Sequence, residues 1–438
     1  MTRMKLLVGG TVALFVIAVV FLGGALAGSP SSRSAADPRG GLAPDRLLSG
    51  LPLSDTGAQT ASLELQVAAQ PRDVEALTLL GLAYQQRARE TGDPSFYPRS
   101  ERVLRQALHL EPTNSLTLRG LASLAASRHR FDESLKLARR AQRQAPRAPA
   151  VYGLLGDAYL ELGRYERAFA AFNRMASLKP GTVAYARISY ARELLGETEA
   201  AVEAMMMAVS SAGRSGEPAA WANAQLGNLF LHSGRLRAAR ASHGRALSLF
   251  PGYAPALAGL GRSQWWRGRL PSAAQFFRLA LARAPVPDYA VALGDVYAQM
   301  GREAEAERAY EQAEVLEDAF AANGGRNQLE TALFDLDHDY DVAAALDRAR
   351  IGRDLRPSIE GEHVLAWALY KNGRCVEAKE HSIRALRLGT KDTGALLHRS
   401  FIEACLGNDA AAREFRAKAL DANPYALLTV GSPRIHRS

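Results

Sequence analysis

Small and apolar residues recur along the middle of this chain in a pattern that predicts paired helices. Between Ala220 and Val286 the pattern repeats with a spacing of 34 residues. The matched positions are Gly227 and Gly261, Gly234 and Gly268, Ala239 and Ala273, Ala246 and Ala280, and Pro251 and Pro285. Each unit therefore predicts a helix, a glycine-containing turn, a second helix and a terminating proline. A single helical hairpin cannot bury its apolar face, so these units are expected to stack on one another.

The same unit can be followed through most of the chain. It fits about ten times between residues 74 and 426 and is clearest in GDAYLELGRYERAFAAF, from Gly156 to Phe172. No segment alternates apolar and polar residues for long enough to predict a β-sheet. We predict an all-α fold, an α-solenoid of about ten tandem helix-turn-helix repeats preceded by an N-terminal hydrophobic helix.

The N-terminal residues have the composition of a targeting segment. Arg3 and Lys5 precede an apolar run over residues 6–22, and small residues follow up to Ala27. This pattern fits a cleaved signal peptide, and its length also approaches that of a membrane anchor; both alternatives place the bulk of the chain outside the cytoplasm. The predicted segments are a signal peptide or membrane anchor (1–27), a flexible linker (28–57), a capping helix (58–73), the superhelix (74–426) and a C-terminal tail (427–438).

The two cysteines do not have the spacing of a metal site. Cys375 and Cys405 are thirty residues apart, on the predicted helices of neighbouring units. A disulfide between them is geometrically allowed. The frequent burial of free cysteine favours the other interpretation, two unlinked buried residues.

Four aspartates alternate with other residues from Asp335 to Asp341, as at the start of a calcium loop. The glycine and the glutamate that such a loop needs are replaced by Tyr340 and Leu346, so an ordinary turn is predicted. No phosphate-binding loop, nucleophile elbow or dinucleotide motif is present. We therefore expect no metal, no cofactor and no enzymatic activity.

The formal net charge of +9 is unevenly distributed along the chain. Nine arginines and no acidic residue lie between Glu217 and Asp288, and this arginine-rich band covers residues 235–283. Residues 288–347 instead contain fifteen acidic residues and three arginines. Such bands attract oppositely charged partners, such as an acidic protein, anionic headgroups, an acidic polymer or a second copy of this chain. Nucleic acid is disfavoured, because the targeting segment directs the chain away from it and no recognised motif is present.

The repeated unit resembles the tetratricopeptide repeat, most fully from Gly156 to Phe172. The last three units, within residues 326–426, are similar to the C-terminal part of extracytoplasmic bacterial repeat proteins. The resemblance implies a right-handed superhelix whose concave groove binds a partner protein or peptide. It supplies no catalytic residue.

In that family, five positions of each unit face the groove. Since tryptophan and arginine are enriched among interface hot spots, we expect several of these positions to contact the partner. The expected contact residues are Trp221, Asn228, Arg262, Trp265, Trp266 and Asp295. For a single tryptophan, packing between helices is the alternative. The lysine that helps some family members to bind a chain terminus is replaced by Ala224, so binding of a terminus is not expected.

These features together predict a non-catalytic interaction scaffold of the bacterial cell envelope, either anchored to the membrane or secreted. A protein or peptide partner would lie in the concave groove. The alternative is a receptor for an anionic polymer or lipid surface, which would bind through the arginine-rich band 235–283.

Overall fold

The chain is helical throughout the part that the structure describes. The structure is a computed structural model, and it describes residues 56–214 and 216–428. These residues form 21 α-helices and one short 3-10 helix, with no β-strand among them. The predicted all-α repeat array is thus confirmed for this part of the chain. The predicted N-terminal hydrophobic helix lies outside the described residues.

The helices form ten hairpins behind a single leading helix, α1 (Thr56–Ala69). Units 1 to 10 are, in order, α2 (Val74–Thr91) with α3 (Phe96–Leu110), α4 (Ser115–Ser127) with α5 (Phe131–Gln144), α6 (Pro149–Glu161) with α7 (Tyr165–Leu178), α8 (Thr182–Leu194) with α9 (Thr198–Ser211), α10 (Glu217–His232) with α11 (Leu236–Leu249), α12 (Ala254–Trp265) with α13 (Leu270–Arg283), α14 (Pro287–Gln299) with α15 (Glu303–Ala322), α16 (Gln328–Asp337) with α17 (Val342–Leu355), α18 (Ile359–Lys371) with α19 (Cys375–Ala385), and α20 (Thr393–Cys405) with α21 (Asp409–Ala422). The 3-10 helix Ala426–Leu428 follows. Among these helices, none is both long and apolar enough to cross a membrane.

Each of the ten described hairpins turns at a residue with positive φ, which explains the regular glycines of the sequence. In eight units this residue is a glycine with φ between 67 and 75°. They are Gly92, Gly163, Gly196, Gly234, Gly268, Gly301, Gly373 and Gly407. His129 and Asp339 occupy the corresponding turns of units 2 and 8, with φ of 55° and 53°. Glycine is favoured there because a Cβ makes the left-handed backbone costly.

The two helices of a hairpin meet where the first has no side chain. A Cβ at Gly156 would lie 2.3 Å from the ring of Phe172, and a Cβ at Gly294 would lie 2.3 Å from the ring of Tyr310. Both distances are far shorter than van der Waals contact. The recurrent glycine of the first helix therefore allows an aromatic ring of the second helix to pack on its backbone.

The array coils so tightly that its successive superhelical turns touch. The hairpin turns of units 1 to 5 each contact the end of the unit five places further along. The contacting pairs are Gly92 and Pro285, Arg128 and Arg326, Gly163 and Pro357, Gly196 and Gly389, and Leu231 and Asn423. The pitch of the superhelix is therefore fixed by direct contact between distant units.

A buried ion cluster joins unit 3 to unit 8. Arg356 is only 3% exposed, and its guanidinium donates hydrogen bonds to Glu161 at 3.0 Å, to Glu330 at 2.7 Å and to Glu360 at 3.2 Å. It also lies 5.3 Å from the centre of the Phe131 ring. A buried charge is tolerated when it is paired and hydrogen-bonded, and Arg356 meets both conditions.

The tight coil places the first helix of each unit inside and the second outside. Twelve of the sixteen residues of α10 are buried, against five of the fourteen residues of α11. We call them the inner and the outer helix of the unit. The inner helices pack against their neighbours on nearly all sides, so the concave side of the described coil is filled rather than open.

The regular stack is interrupted between units 7 and 8. The outer helix α15 has 20 residues, because no proline ends it and it continues to the turn at Gly324 (φ 86°). Its last turn carries Phe320, which packs against Tyr97 and His129 of the first superhelical turn, with ring centres 6.3 and 5.4 Å apart. Helices α15 and α16 consequently share almost no backbone contact, and a cleft separates them.

Cys375 and Cys405 form a disulfide, with their Cα atoms 6.2 Å apart. The favoured sequence interpretation, two unlinked buried cysteines, is therefore wrong. Cys375 begins an outer helix and Cys405 ends the next inner helix, so both lie at the same edge of the array. Cys375 is buried, whereas Cys405 is exposed.

Candidate interaction surfaces

The six residues that were predicted to contact a partner all lie inside the structure. Their exposed fractions range from 0 to 7%. They are Trp221, Asn228, Arg262, Trp265, Trp266 and Asp295. In this conformation they offer no surface to a partner, because the inner helices that carry them are packed on nearly all sides. Partner binding through these residues stays a prediction, and it would require the coil to open.

Trp265 and Trp266 both pack between helices. The indole N–H of Trp265 donates to the side-chain oxygen of Gln299 at 2.6 Å, and its ring meets Phe277 edge-on. Trp266 stacks on Tyr425, with ring centres 6.1 Å apart. The alternative interpretation, packing rather than partner contact, thus describes the position of both tryptophans.

Three of the four remaining members of this set also contribute to the packed interior. Trp221 belongs to a buried apolar cluster that includes Met205. Asn228 accepts a hydrogen bond from His243 at 3.2 Å, and burial lowers the pKa of His243 to about 3. Burial likewise lowers the pKa of Arg262. These side chains contribute to packing in the described coil.

Asp295 forms a buried ion pair. Its Oδ1 lies 2.8 Å from Nε2 of His338 and accepts a hydrogen bond from the Tyr310 hydroxyl at 2.9 Å. Burial alone would lower the pKa of His338, but the charge and hydrogen bond of Asp295 outweigh it and raise that pKa. The imidazole is therefore held in its charged form beside Asp295.

The outer surface of units 5 and 6 carries an arginine face. It consists of seven exposed arginines that have no hydrogen bond or ion pair through their side chains among the described residues. They are Arg237, Arg240, Arg245, Arg267, Arg269, Arg278 and Arg283. The other two arginines of the band differ, since Arg235 pairs with Glu199 and Arg262 is buried.

Three members of the arginine face lie close together. The pKa of Arg267 is lowered mainly by the charge of Arg269, with smaller effects from desolvation and from Arg240. Repulsion of this kind indicates an uncompensated positive charge, which an anionic partner would relieve.

An acidic cleft of about 640 Å³ lies between units 7 and 8, where the stack is interrupted. We define it by α15 on one wall and α16 on the other, with nine carboxylates along its lining. They are Asp288, Glu307, Glu311, Glu314, Glu317, Asp318, Glu330, Asp335 and Asp337. Its volume falls within the range of about 300–1,000 Å³ that is common for ligand sites.

The α15 wall carries a row of acidic residues on one helix face. Glu307, Glu311, Glu314 and Asp318 follow one another at intervals of four, three and four residues, which places them one above the other. Among the described residues, Glu311, Glu314 and Asp318 have no ion pair with a basic side chain. Glu311 and Glu314 are also exposed.

Aromatic rings and an aliphatic side chain line the opposite side of the cleft. Phe334 stacks on Tyr340, with ring centres 5.4 Å apart, and meets Tyr310 edge-on at 5.7 Å. Ile351 of α17 is 53% exposed at this wall. The one arginine in the lining, Arg348, pairs with Asp335.

Two carboxyl groups of the cleft hold their protons unusually tightly. Burial raises the pKa of Glu317 to about 8, although Asn327 donates a hydrogen bond to its carboxylate at 2.6 Å. Burial also raises the pKa of Asp288 to about 6, against the opposing charge of Arg262. Both groups therefore ionise less readily than ordinary carboxyl groups, so exposed carboxylates such as Glu311 and Glu314 carry more of the negative charge of the cleft.

The four aspartates from Asp335 to Asp341 each have a partner within the protein. The partners are Arg348 for Asp335, the indole N–H of Trp367 for Asp337, Lys371 for Asp339 and the backbone N–H of Ala344 for Asp341. Asp335 and Asp337 lie in the last turn of α16 and Asp341 caps the N-terminus of α17, so residues 338–341 form the turn between the two helices. Within residues 56–214 and 216–428, no group of three or more His, Cys, Asp or Glu side chains could hold a metal ion.

The acidic cleft was not among the predicted sites, although the sequence contained two signals for it. One is the acidic composition of residues 288–347. The other is the missing proline after α15, in a chain where Pro251 and Pro285 end the preceding outer helices. The contact between the rings of Phe334 and Tyr340 depends on the tertiary structure, so their position at the cleft could not be inferred from the sequence.

Several solved structures are similar to this chain at low identity. The Cut9–Hcn1 hetero-tetramer of the APC/C is 14% identical, with 88% of this chain and 82% of that chain covered and a TM-score of 0.39. PilW, a type IV pilus biogenesis factor, is 18% identical, with coverage of 46% and 92% and a TM-score of 0.39. A tetratricopeptide repeat protein from Parabacteroides merdae is 14% identical, with coverage of 59% and 92% and a TM-score of 0.42. No curated protein matches the chain.

Family models give the direct assignment. Three models described as tetratricopeptide repeat match this chain. The matched residues are 86–149 and 119–182 for the first, 230–293 for the second and 287–314 for the third. The matched segments fall on consecutive helical hairpins of the described coil. This chain is therefore a tetratricopeptide repeat protein.

Proposed function

We propose that this protein is a non-catalytic interaction scaffold of the bacterial cell envelope that binds an acidic partner protein on its arginine face. Tandem tetratricopeptide repeats are typical of protein-interaction scaffolds. The described helices pack on one another and add no catalytic domain to the repeats. We therefore assign the surface of the repeats a role in binding a partner.

The arginine face is the observation that carries this proposal. Its seven exposed guanidinium groups form no hydrogen bond or ion pair among the described residues, and Arg267 is repelled by Arg269. The inner side of the coil is packed, so an outer surface is the accessible one. Arginine forms paired hydrogen bonds with carboxylates, and a patch of one charge sign accelerates encounter with an acidic partner.

Two features support a location in the cell envelope. The apolar run over residues 6–22 follows Arg3 and Lys5, as in a signal peptide or membrane anchor. The disulfide between Cys375 and Cys405 is of a kind that persists in oxidising compartments outside the cytoplasm. We propose that the repeats lie on the outer side of the membrane, either anchored or secreted.

The test reverses the charge of the arginine face and compares capture of envelope proteins. The variant is Arg237→Glu, Arg240→Glu and Arg269→Glu in one chain, and the matched control reverses the exposed arginines Arg102, Arg143 and Arg147 of units 1 and 2. Quantitative mass spectrometry of material captured from the host envelope should show one acidic protein retained by wild type and control and lost by the variant. Equal retention by all three chains would contradict the proposal.

An anionic lipid surface is the second candidate for the arginine face, and the position of the N-terminus favours it. The Thr56 hydroxyl at the start of α1 donates to Glu90 at 2.8 Å, close to Gly92. Gly92 in turn lies against Pro285, which follows α13 of the arginine face. A membrane anchor joined through the predicted linker over residues 28–57 would keep the arginine face within reach of anionic headgroups, which attract each nearby arginine by about 1 kcal/mol.

Vesicles distinguish the two candidates. Lipid binding predicts co-sedimentation with phosphatidylglycerol-containing vesicles, little with neutral vesicles, and a steep loss as salt is raised to physiological concentration. The triple Arg→Glu variant should lose this binding, whereas the control retains it. Binding that is insensitive to salt or to charge reversal would exclude the lipid candidate.

A further inference from the structure

We propose that the acidic cleft is a second binding site, which takes an extended segment of a partner protein with basic residues at alternating positions. The site lies between units 7 and 8, and it does not depend on the arginine face of units 5 and 6. Charge reversal of the arginine face should therefore leave it functional, so the two proposals can fail separately.

Among the described residues, the lining of the cleft has no basic side chain that is not already engaged. The cleft has nine carboxylates, and its two cationic side chains are already engaged, Arg348 with Asp335 and His338 with Asp295. Glu330 is paired with Arg356 from outside the lining, whereas the exposed Glu311 and Glu314 face a cavity of about 640 Å³ and have no ion pair among the described residues. A ligand that brings positive charge would neutralise it.

The spacing of the acidic row favours an extended chain over a compact cation. The acidic row runs from Glu307 to Asp318, two positions eleven residues apart on α15, which is about 16 Å at a rise of about 1.5 Å per residue. Neighbouring members are therefore about 4.5 or 6 Å apart along the axis. In an extended peptide, side chains on the same face recur about every 6.6 Å. Basic residues at alternating positions would thus each lie near one carboxylate.

The opposite wall suits the remaining surface of such a segment. The stacked rings of Phe334 and Tyr340 offer π faces, on which an arginine or lysine side chain packs favourably. Ile351 provides exposed apolar surface for the side chains that alternate with the basic ones. The cleft therefore complements both faces of an extended basic segment.

The cleft is already formed in the described chain. The last turn of α15 is fixed by contacts of Phe320 with Tyr97 and His129 of the first superhelical turn. The base of the cleft is supported by the bonds of Asp295 to His338 and Tyr310. A preformed site loses less conformational freedom when it binds, which favours affinity.

Proton linkage adds a second signature. The raised pKa values of Glu317, about 8, and Asp288, about 6, leave both groups partly protonated near neutral pH. A bound cation favours the ionised form and lowers both values. Binding of a basic segment should accordingly release protons and become tighter between pH 5.5 and pH 8.

The test uses the full chain and a fluorescein-labelled octapeptide of alternating arginine and serine, with an alternating glutamate and serine peptide as the anionic control. Fluorescence anisotropy measures the affinity of wild type and of Glu311→Gln/Glu314→Gln, which removes two charges from the cleft. The matched variant Glu303→Gln/Glu305→Gln removes two charges from the same helix outside the cleft lining. We expect the cleft variant to weaken binding about tenfold and the matched variant to leave it unchanged.

A benzophenone-bearing form of the octapeptide locates the contact. Adducts on α15 and α16, together with the loss of affinity in the cleft variant, would support the site. Equal weakening by both variants, or adducts spread over other acidic surfaces, would overturn it. The proposal would also be overturned if the octapeptide bound only to a chain truncated after Leu428 and not to the full chain. The occupant of the cleft would then be the C-terminal segment of the same chain, with its basic residues Arg434 and Arg437, and not a partner protein.

Discussion

Glu330 and Glu317 are two glutamates of one cleft whose pKa values move in opposite directions. Burial would raise the pKa of Glu330, but the charges of His129 and Arg356 outweigh it and lower that pKa to about 2. Burial also raises the pKa of Glu317. The Asn327 amide is the hydrogen-bond partner of this carboxylate, and without a nearby cation among the described residues its pKa reaches about 8. The difference lies in whether the fold supplies a cation, not in residue type or in the unit that carries it.

Two kinds of carboxylate can thus be distinguished. Structural acids are paired with a cation and stabilise the fold, whereas other carboxylates remain available to a ligand. Arg356 is surrounded by three glutamates, and it holds the ends of two superhelical turns together through them. One guanidinium does not ionise all three, because burial still raises the pKa of Glu360 to about 8. Glu311, Glu314 and Asp318 of the acidic row have no ion pair among the described residues, so their charge is available to a partner outside the described chain.

The largest expected effect is the loss of the structural cation. Arg356→Met should lower the free energy of unfolding by about 3–5 kcal/mol, because it leaves buried carboxylates without their partner. Urea denaturation followed by circular dichroism measures this change. The matched control, Arg348→Met, removes a half-exposed arginine from its pair with Asp335 and should cost about 1 kcal/mol or less. Equal losses in the two variants would show that Arg356 has no special role in joining the turns.

A smaller effect should appear in the pH dependence of stability. The folded-state pKa of Glu317 is about 8, and the unfolded value is about 4.3. Between these values the folded chain holds a proton that the unfolded chain has lost, so stability falls as the pH rises. Glu317→Gln should remove this loss, which is on the order of 3–4 kcal/mol between pH 5 and pH 8.

Glu330→Gln provides the opposite sign. Because the folded pKa of Glu330 is lowered to about 2, its ionised form stabilises the chain above about pH 4 and that contribution disappears as the pH falls towards 2. Unfolding curves of both variants over a pH series measure the two slopes. If the free energy of unfolding depended on pH in the same way in wild type and in both variants, the opposite pKa shifts of Glu317 and Glu330 would be contradicted.

The repeat pattern predicted the fold but not the way it coils. The spacing of Gly234 and Gly268 and the prolines Pro251 and Pro285 was sufficient to predict stacked hairpins. The contact of Gly163 with Pro357 depends on a small rotation between units, and no local pattern encodes that rotation. For this reason Trp265, placed in a groove by the family pattern, is buried in the described coil.

The candidate surfaces were predictable to different degrees for the same reason. The arginine face follows largely from composition, since a long segment without acidic residues gives its outward arginines no acidic neighbour within the segment, although Arg235 pairs with Glu199 of the preceding unit. The acidic cleft needs two distant facts, the extra length of α15 and its contact with Tyr97 through Phe320. The charge of a surface can be predicted from the composition of one segment, whereas a cavity depends on the distance between helices, which contacts with remote units determine.

The smallest expected effect concerns the stability of the acidic row itself. If Glu311 and Glu314 serve recognition, their repulsion is uncompensated in the free protein, and like charges three or four residues apart destabilise a helix by about 0.2–0.5 kcal/mol per pair. Glu311→Gln/Glu314→Gln should therefore leave the free energy of unfolding unchanged or raise it by about 0.5 kcal/mol. Thermal unfolding at low and high salt measures the change, which should shrink as salt screens the repulsion. A loss of more than about 1 kcal/mol would place these two glutamates with Glu330 among the structural acids, because only residues that stabilise the fold lower its stability when removed.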